Sequence, residues 1–334
     1  MTIPSTDFVQ NERFPLKVTV RRIVDEAENI KSFELVASKG HSLPAASPGS
    51  HIEVALGAGV YRQYSVYNGG EGEECYRIAV LQDDSGRGGS KAMHALSEGV
   101  ELSISTPRDR FALMEAPEKY ILIAGGIGIT PLIPMARELD KRNRDFELHY
   151  AVRSLHRAAF ASALRKSSFA DRVRLYTSGA EVSMDLQELL TDALRASAEV
   201  YVCGPQRLID AVFTTAEVLG LPSEHLHTER FGAEPGGITH SDTEDRGEFD
   251  VIVASTGHSF SVPPNRTVAE VLIEGGVDIP LSCEAGICGT CETGILSGIP
   301  QHNDQYFTQD EKASNTVFTP CCSRSMSKKL VLDL

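Results

Sequence analysis

The stretch SCEAGICGTCETG, Ser282 to Gly294, holds Cys283, Cys288 and Cys291 in a C-x4-C-x2-C run, and Cys321 follows 30 residues after Cys291. This is the plant-type spacing of four thiolates around a 2Fe-2S cluster, three from one loop and the fourth from a distant segment. Gly286 and Gly289 allow backbone amides to turn inward and hydrogen-bond to the sulfurs, an approach that a bulky side chain would block. A structural zinc site is the alternative, but zinc usually takes a pair of C-x2-C knuckles and this sequence has one. The fourth cysteine has a neighbour, Cys322, in the stretch FTPCC. Expected as a strand, FTPCC would point the two thiols to opposite faces, so that only one meets the cluster. Cys75, in CYRIAVLQ, reads as a small buried hydrophobe.

A cluster domain of this kind occupies only the end of a 334-residue chain, which is long enough for three domains. From Leu16 to about Leu113 short alternating runs (LKVTV, SFELVA, HIEVAL, CYRIAVLQ, VELSIST) predict an antiparallel, Greek-key β-barrel over residues 1–115. From 116 to 230 the apolar strands YILIAG, FELHYAV, RVRLYTS and EVYVCG alternate with helical stretches. That rhythm predicts an α/β nucleotide-binding domain with a parallel sheet. Residues 231–247, rich in Gly and charge, read as a linker, and 248–334 as an α+β, β-grasp ferredoxin domain.

Two glycine loops suit phosphate groups. In DDSGRGGSKAMH, Arg87 supplies charge while Gly88, Gly89 and Ser90 offer amides and a hydroxyl. In YILIAGGIGITPLIPM, Gly125, Gly126 and Gly128 allow a pyrophosphate to approach a helix start, with Thr130 expected as its N-cap and Pro131 as its first residue. The spacing is not G-x-G-x-x-G, and the second strand ends in Arg153-Ser154 with no acidic residue, so this is not the dehydrogenase fingerprint.

Together with R-x-Y-S at Arg62 to Ser65, PRDRF at Pro107 to Phe111, the G-G-x-G-x-T-P string and YVCGPQ at Tyr201 to Gln206, these loops give the chain a resemblance to the phthalate dioxygenase reductase family. The resemblance implies a bound flavin, with Arg62 and Ser90 on its phosphate and Tyr64 along the ring. Ser65 would stand near its hydride-accepting nitrogen, and the backbone of Ala79 and Val80 would line the ring. FMN is implied over FAD, whose binders usually carry a different second loop. Gly126, Thr130, Pro131, Cys203, Gly204 and Pro205 would frame NADH, with Arg153 and Ser154 toward the adenosine. Ser65, Thr130 and Cys203 become the candidate catalytic residues. The family's closing Cys-x-Ser-Arg selects Cys321 over Cys322 as ligand. HNDQYFTQDEKAS, His302 to Ser314, is similar to the segment after the cluster loop in vanillate demethylase and carnitine monooxygenase reductases.

The resemblance thus implies an NADH-dependent reductase whose partner is the terminal component of a Rieske-type oxygenase. The alternative is a non-enzymatic electron carrier whose upstream domains serve for docking. A net charge of −14 argues against a nucleic-acid partner. The ferredoxin segment, with eleven Asp/Glu against five Lys/Arg, suits a basic one. The longest charge-free stretch, Tyr120 to Ala136, is too short and too rich in Gly and Pro to span a bilayer. With no secretory pattern at the N-terminus, the expected location is the cytoplasm.

Overall fold

The computed structural model describes residues 13–39, 42–57, 60–70, 74–84, 88–115, 117–180, 183–231 and 247–334. Arg87 and residues 232–246 of the expected linker lie outside them. The chain divides into two compact units, Met1–Gly57 with Tyr61–Phe231, and Ala58–Val60 with Gly232–Leu334.

In the first unit, β1 (Leu16–Ala27), β2 (Ile30–Ala37), β3 (Ser50–Ala55), β4 (Tyr61–Ser65), β5 (Cys75–Leu81), β6 (Glu101–Ile104) and β7 (Arg108–Asp109) form one antiparallel sheet. Its order is β4-β3-β6-β1-β2-β5, with β7 against β3. A bridge between Val66 and Ile78 joins the two ends, so the sheet closes into the expected barrel and has no long free edge. Alternation drives this closure. Val18 and Val20 of β1, Phe33 and Leu35 of β2, and Ile52 and Val54 of β3 all point into one apolar core. The short helix α1 (Gly89–His94) follows β5.

The next strands, β8 (Lys119–Gly125), β9 (Asp145–Val152), β10 (Val173–Thr177), β11 (Glu199–Cys203) and β12 (Leu226–Glu229), form a parallel sheet ordered β10-β9-β8-β11-β12. They are linked through α2 (Ile129–Lys141), α3 (Ala161–Arg165), α4 (Leu186–Arg195) and α5 (Gln206–Leu219). Central β8 explains its own unbroken apolar run, because helices cover both of its faces. Tyr120, Leu122 and Ala124 pack with Leu132, Ile133 and Ala136 of α2. Ile121 and Ile123 pack with Leu189 and Leu190 of α4 and Ile209 and Val212 of α5. The barrel and this layer share a seam, where Ile30 and Ala79 of the barrel meet Ala159. It is pinned by Arg157 Nη2 donating to Glu28 Oε1 at 2.7 Å.

The second unit contains β13 (Phe249–Val253), β14 (Ser259–Val262), β15 (Thr293–Ser297), β16 (Pro300–Gln301), β17 (Val317–Phe318), β18 (Arg324–Ser325) and β19 (Lys329–Asp333), with helices α6 (Val268–Glu274) and α7 (Gln309–Ser314). The main sheet runs β14-β13-β19-β15-β17, and β13 and β19 are parallel at its centre. Helix α6 begins at a capping box in which Thr267 and Glu270 satisfy each other's backbone N–H. It buries Val268, Ala269 and Leu272 against Val251, Leu330 and Leu332. This is the expected ferredoxin architecture.

FTPCC departs from expectation. The strand stops at Phe318, and Pro320, Cys321 and Cys322 form a turn in which the N–H groups of Cys322 and Ser323 both donate to Thr319 O, at 3.2 and 2.9 Å. Proline offers no N–H to continue a ladder. Strand alternation therefore does not separate the two thiols, and both are buried.

Candidate functional site

The site in the first unit is built where β4 leaves the barrel. Antiparallel pairing sets Arg62 opposite Val54, Tyr64 opposite Ile52 and Ser65 opposite His51, so Arg62 and Tyr64 share one side of the strand and Ser65 takes the other. Tyr64 leans on the barrel core, and burial pushes its hydroxyl well above the usual tyrosine range. The glycine loop meets Arg62 directly. A Cβ on Gly89 would lie 2.5 Å from Arg62 Cγ and Nε, and Gly88 has φ +83°. Position 88 thus favours glycine for its left-handed backbone, and a side chain at Gly89 would displace that of Arg62. Ser90 Oγ accepts the Asp83 N–H at 3.0 Å, which closes the loop on itself. Val80 points into the barrel core and its carbonyl accepts from His94 Nε2 at 2.8 Å, while Ala79 lies on the seam.

The second loop pair is packed backbone on backbone. A Cβ on Gly125 would stand 2.6 Å from Pro205 Cδ, one on Gly204 would stand 2.8 Å from Gly125 Cα, and one on Gly128 would collide with the Cys203 carbonyl. Gly126 has φ +55°. Four glycines thus allow the turn after β8 to nest against the Cys203-Gly204-Pro205 turn after β11. Thr130 is not the N-cap. Helix α2 starts at Ile129 with Gly128 before it, and the Thr130 hydroxyl donates to Ile127 O at 3.0 Å. The 3-10 turn Gly126–Gly128 runs straight into the helix, which puts Thr130 second and Pro131 third. Pro131 still sits in the first turn, where its missing N–H costs nothing. Arg153 is exposed at the end of β9, and Ser154 follows it in extended conformation.

Two residues that sequence reasoning missed complete this site. Cys203 pairs with Glu229 across the parallel strands β11 and β12, and Ser65 Oγ donates to Glu229 Oε2 at 3.0 Å. His51 Nδ1 lies 3.8 Å from Glu229 Oε1. Burial raises the Glu229 carboxyl to about 8, against the pull of the Ser65 hydrogen bond. Burial lowers His51 to about 4, helped by Arg108, and drives the fully buried Cys203 thiol well above its usual range. The only signal in the sequence is a lone carboxylate closing the strand LHTE, and neither period nor spacing marks it.

In the second unit the candidate ligands form two pairs. Cys283 and Cys288 hydrogen-bond to each other, and this together with the amides of Ile287, Ala285 and Cys288 lowers the Cys283 thiol to about 7. Cys321 hydrogen-bonds to Cys291 and to Cys322 and takes a further bond from the Gly286 amide. The amides of Ala285, Ile287 and Cys288 approach Cys283 Sγ at 3.4, 3.4 and 3.3 Å, and Thr290 N approaches Cys288 Sγ at 3.4 Å. Gly286 and Gly289 both have positive φ, +68° and +67°, which turns the peptides inward. Among the described residues, no three His, Cys, Asp or Glu side chains are placed to hold one metal ion. Two thiol pairs with amides aimed at sulfur suit two bridged irons better than one tetrahedral zinc. Cys322 Sγ lies 3.2 Å from Thr319 Oγ1, and a Cβ on Gly286 would be 2.5 Å from it.

A family model for the 2Fe-2S iron-sulfur cluster binding domain matches residues 251–326. Along 95% of its length the chain is 44% identical, over 322 residues, to vanillate O-demethylase oxidoreductase of Pseudomonas sp. (strain HR199 / DSM 7063), of which it covers 98%. It is 38% identical over 323 residues to the carnitine monooxygenase reductase subunit of Escherichia coli (strain K12), covering 95% of this chain and 98% of that one. Among solved structures it resembles phthalate dioxygenase reductase, with TM-score 0.69, 36% identity, and 96% and 98% of the two chains covered. It also resembles a type IV self-sufficient cytochrome P450 monooxygenase, with TM-score 0.84 and 35% identity, where 96% of this chain matches 41% of that one. No helix among the described residues is long and apolar enough to cross a membrane.

Proposed function

Because the chain belongs to the phthalate dioxygenase reductase family of NADH-dependent flavin and iron-sulfur oxidoreductases, we propose that it carries electrons from NADH through FMN and a 2Fe-2S cluster to a terminal Rieske-type oxygenase. A nicotinamide releases two electrons together as hydride, a 2Fe-2S cluster accepts one, and a flavin converts between them.

The chain's own contribution is placement. Arg62, whose side chain lies against Gly89, would supply the cation for the flavin phosphate, with the amides of Gly88 and Gly89 and the hydroxyl of Ser90 as further donors. Tyr64 and the backbone of Ala79 and Val80 would line its ring. Gly125, Gly126, Gly128, Thr130, Pro131, Gly204 and Pro205 cradle the dinucleotide, and Arg153 and Ser154 face its adenosine end. Ser65 and Cys203 flank the hydride path, both beside Glu229. Holding donor and acceptor in a short, aligned geometry is the main catalytic effect asked of them. Cys283 with Cys288, and Cys291 with Cys321, would each hold one iron.

The observation that carries the reading is that the Arg62 side chain, 27 residues away in sequence, lies against Gly89 of the glycine loop. It supports FMN, whose phosphate is terminal. A basic docking face on the oxygenase suits the acidic ferredoxin segment.

Anaerobic titration tests the whole. NADH should bleach a flavin band and then the iron-sulfur absorption, after which addition of the oxygenase component should restore both. A protein that stays oxidised under NADH reduces the chain to an electron carrier. Mass measurement of the released flavin separates FMN from FAD.

A further inference from the structure

Neither Gly286 nor Gly289 of the cluster loop faces open space. A Cβ on Gly286 would press on Asp304 Cα at 2.7 Å, and one on Gly289 would fall inside the ring of Tyr306. Both contacts come from one short segment, His302 to Phe307. Gln305 N–H donates to Gly286 O at 2.9 Å, which ties that segment to the loop.

The segment is braced from within. The side chain of Asp304 is fully buried, and its Oδ2 accepts the N–H groups of Tyr306 and Phe307 at 3.2 and 2.9 Å. Its Oδ1 lies 3.0 Å from His302 Nδ1. Lys312 Nζ donates to the Asp304 carbonyl at 2.6 Å. The ring of Tyr306 meets buried Phe307 edge-on, with centroids 4.8 Å apart, and its hydroxyl donates to Glu292 Oε2 at 3.2 Å. Tyr306 is therefore held over Gly289 from both ends, by the Asp304 turn and by Glu292, one residue beyond Cys291.

Gly289 lies between Cys288 and Cys291, which belong to different thiol pairs, so the Tyr306 ring covers the middle of the loop that would join the two irons. Reduction adds negative charge to such a centre, and water stabilises added charge better than an aromatic ring does. We propose that Tyr306 is the positioning residue that screens the Gly289–Cys291 stretch of this loop from water and so holds the cluster's reduction potential below the value it would have with that stretch open. The inference rests on the cluster assignment above.

The test compares the full-length, cluster-loaded protein with Tyr306→Ala and Tyr306→Phe. It reads the cluster's midpoint potential and the rate at which an iron chelator strips it. Tyr306→Ala should raise the potential and speed iron release several-fold, while Tyr306→Phe, which keeps the ring, should match the parent in both. If Tyr306→Ala assembles no cluster, Tyr306→Leu takes its place and should shift both quantities the same way by less. An unshifted potential and release rate in the variant that assembles overturns the inference. So does a lowered potential, which would mean that the loop amides had lost the sulfurs. A parent protein lacking 2Fe-2S absorption overturns the cluster assignment itself, and this inference with it.

Discussion

Ser65 and Glu229, 164 residues apart, are joined by a 3.0 Å hydrogen bond in which the serine hydroxyl donates to the Glu229 carboxyl oxygen Oε2. The bond links the R-x-Y-S strand of the barrel to the last strand of the parallel sheet. It also places a buried carboxyl with a raised pKa, about 8, beside two of the candidate catalytic residues.

Glu229 and His51 titrate in opposite senses and should leave separate marks on stability. Native Glu229 keeps a proton that the unfolded chain gives up, so its contribution is complete at low pH and is lost as pH rises from about 4.5 through about 8. Native His51 refuses a proton that the unfolded chain takes, so its contribution is lost as pH falls from about 6.5 toward about 4. Urea unfolding from pH 5 to 9 should show Glu229→Gln more stable than the parent at pH 9, by roughly 2–4 kcal/mol. His51→Asn should flatten only the acid limb. Parallel curves for parent and Glu229→Gln would rule out a buried, neutral carboxyl.

The two adjacent thiols should behave differently. Cys321 is bonded to Cys291, whereas Cys322 is bonded to Cys321, Thr319 and Ser323. Cys321→Ser should abolish the 2Fe-2S absorption and its electron paramagnetic resonance signal. Cys322→Ser should keep both. The reverse pattern would transfer the ligand role to Cys322.

Glycine 204 admits no side chain, since a Cβ would stand 2.8 Å from Gly125 Cα. Gly204→Ala should force the two turns apart, cost ~1–3 kcal/mol of stability, and raise the KM for NADH at least tenfold while bound flavin is retained. Stopped-flow reduction of the flavin by NADH reads the effect, and a parental KM would remove this turn from the dinucleotide site.

Arg62 is the cation that, on the proposed reading, would meet the flavin phosphate beside Gly89. Arg62→Ala should fold and keep its cluster but lose most of its flavin during gel filtration, scored as flavin per chain. Full retention would move the phosphate site elsewhere.

Much of this molecule is legible along the chain because the relevant physics is local. Alternation with period 2 marks the barrel strands, β8 announces a doubly covered strand by its unbroken apolar run, and the C-x4-C-x2-C spacing with its two glycines specifies a loop whose amides must turn inward. Local signals also misled in places. FTPCC has the apolar and β-branched residues of a strand, yet Pro320 withdraws the N–H that a ladder needs. Thr130 has the side chain of an N-cap, yet the 3-10 turn ahead of it carries the chain into the helix before it arrives.

Other features came only from assembly. Closing the barrel through Val66 and Ile78 and setting β12 beside β11 bring Ser65, His51, Cys203 and Glu229 together. The fold of the last unit lays Tyr306 on Gly289. The sequence by itself determined which groups could hold a flavin, a dinucleotide and two irons. The tertiary structure decided which carboxyl is largely withdrawn from water and which ring lies on the cluster loop, because desolvation and close packing depend on neighbours that no sequence spacing records.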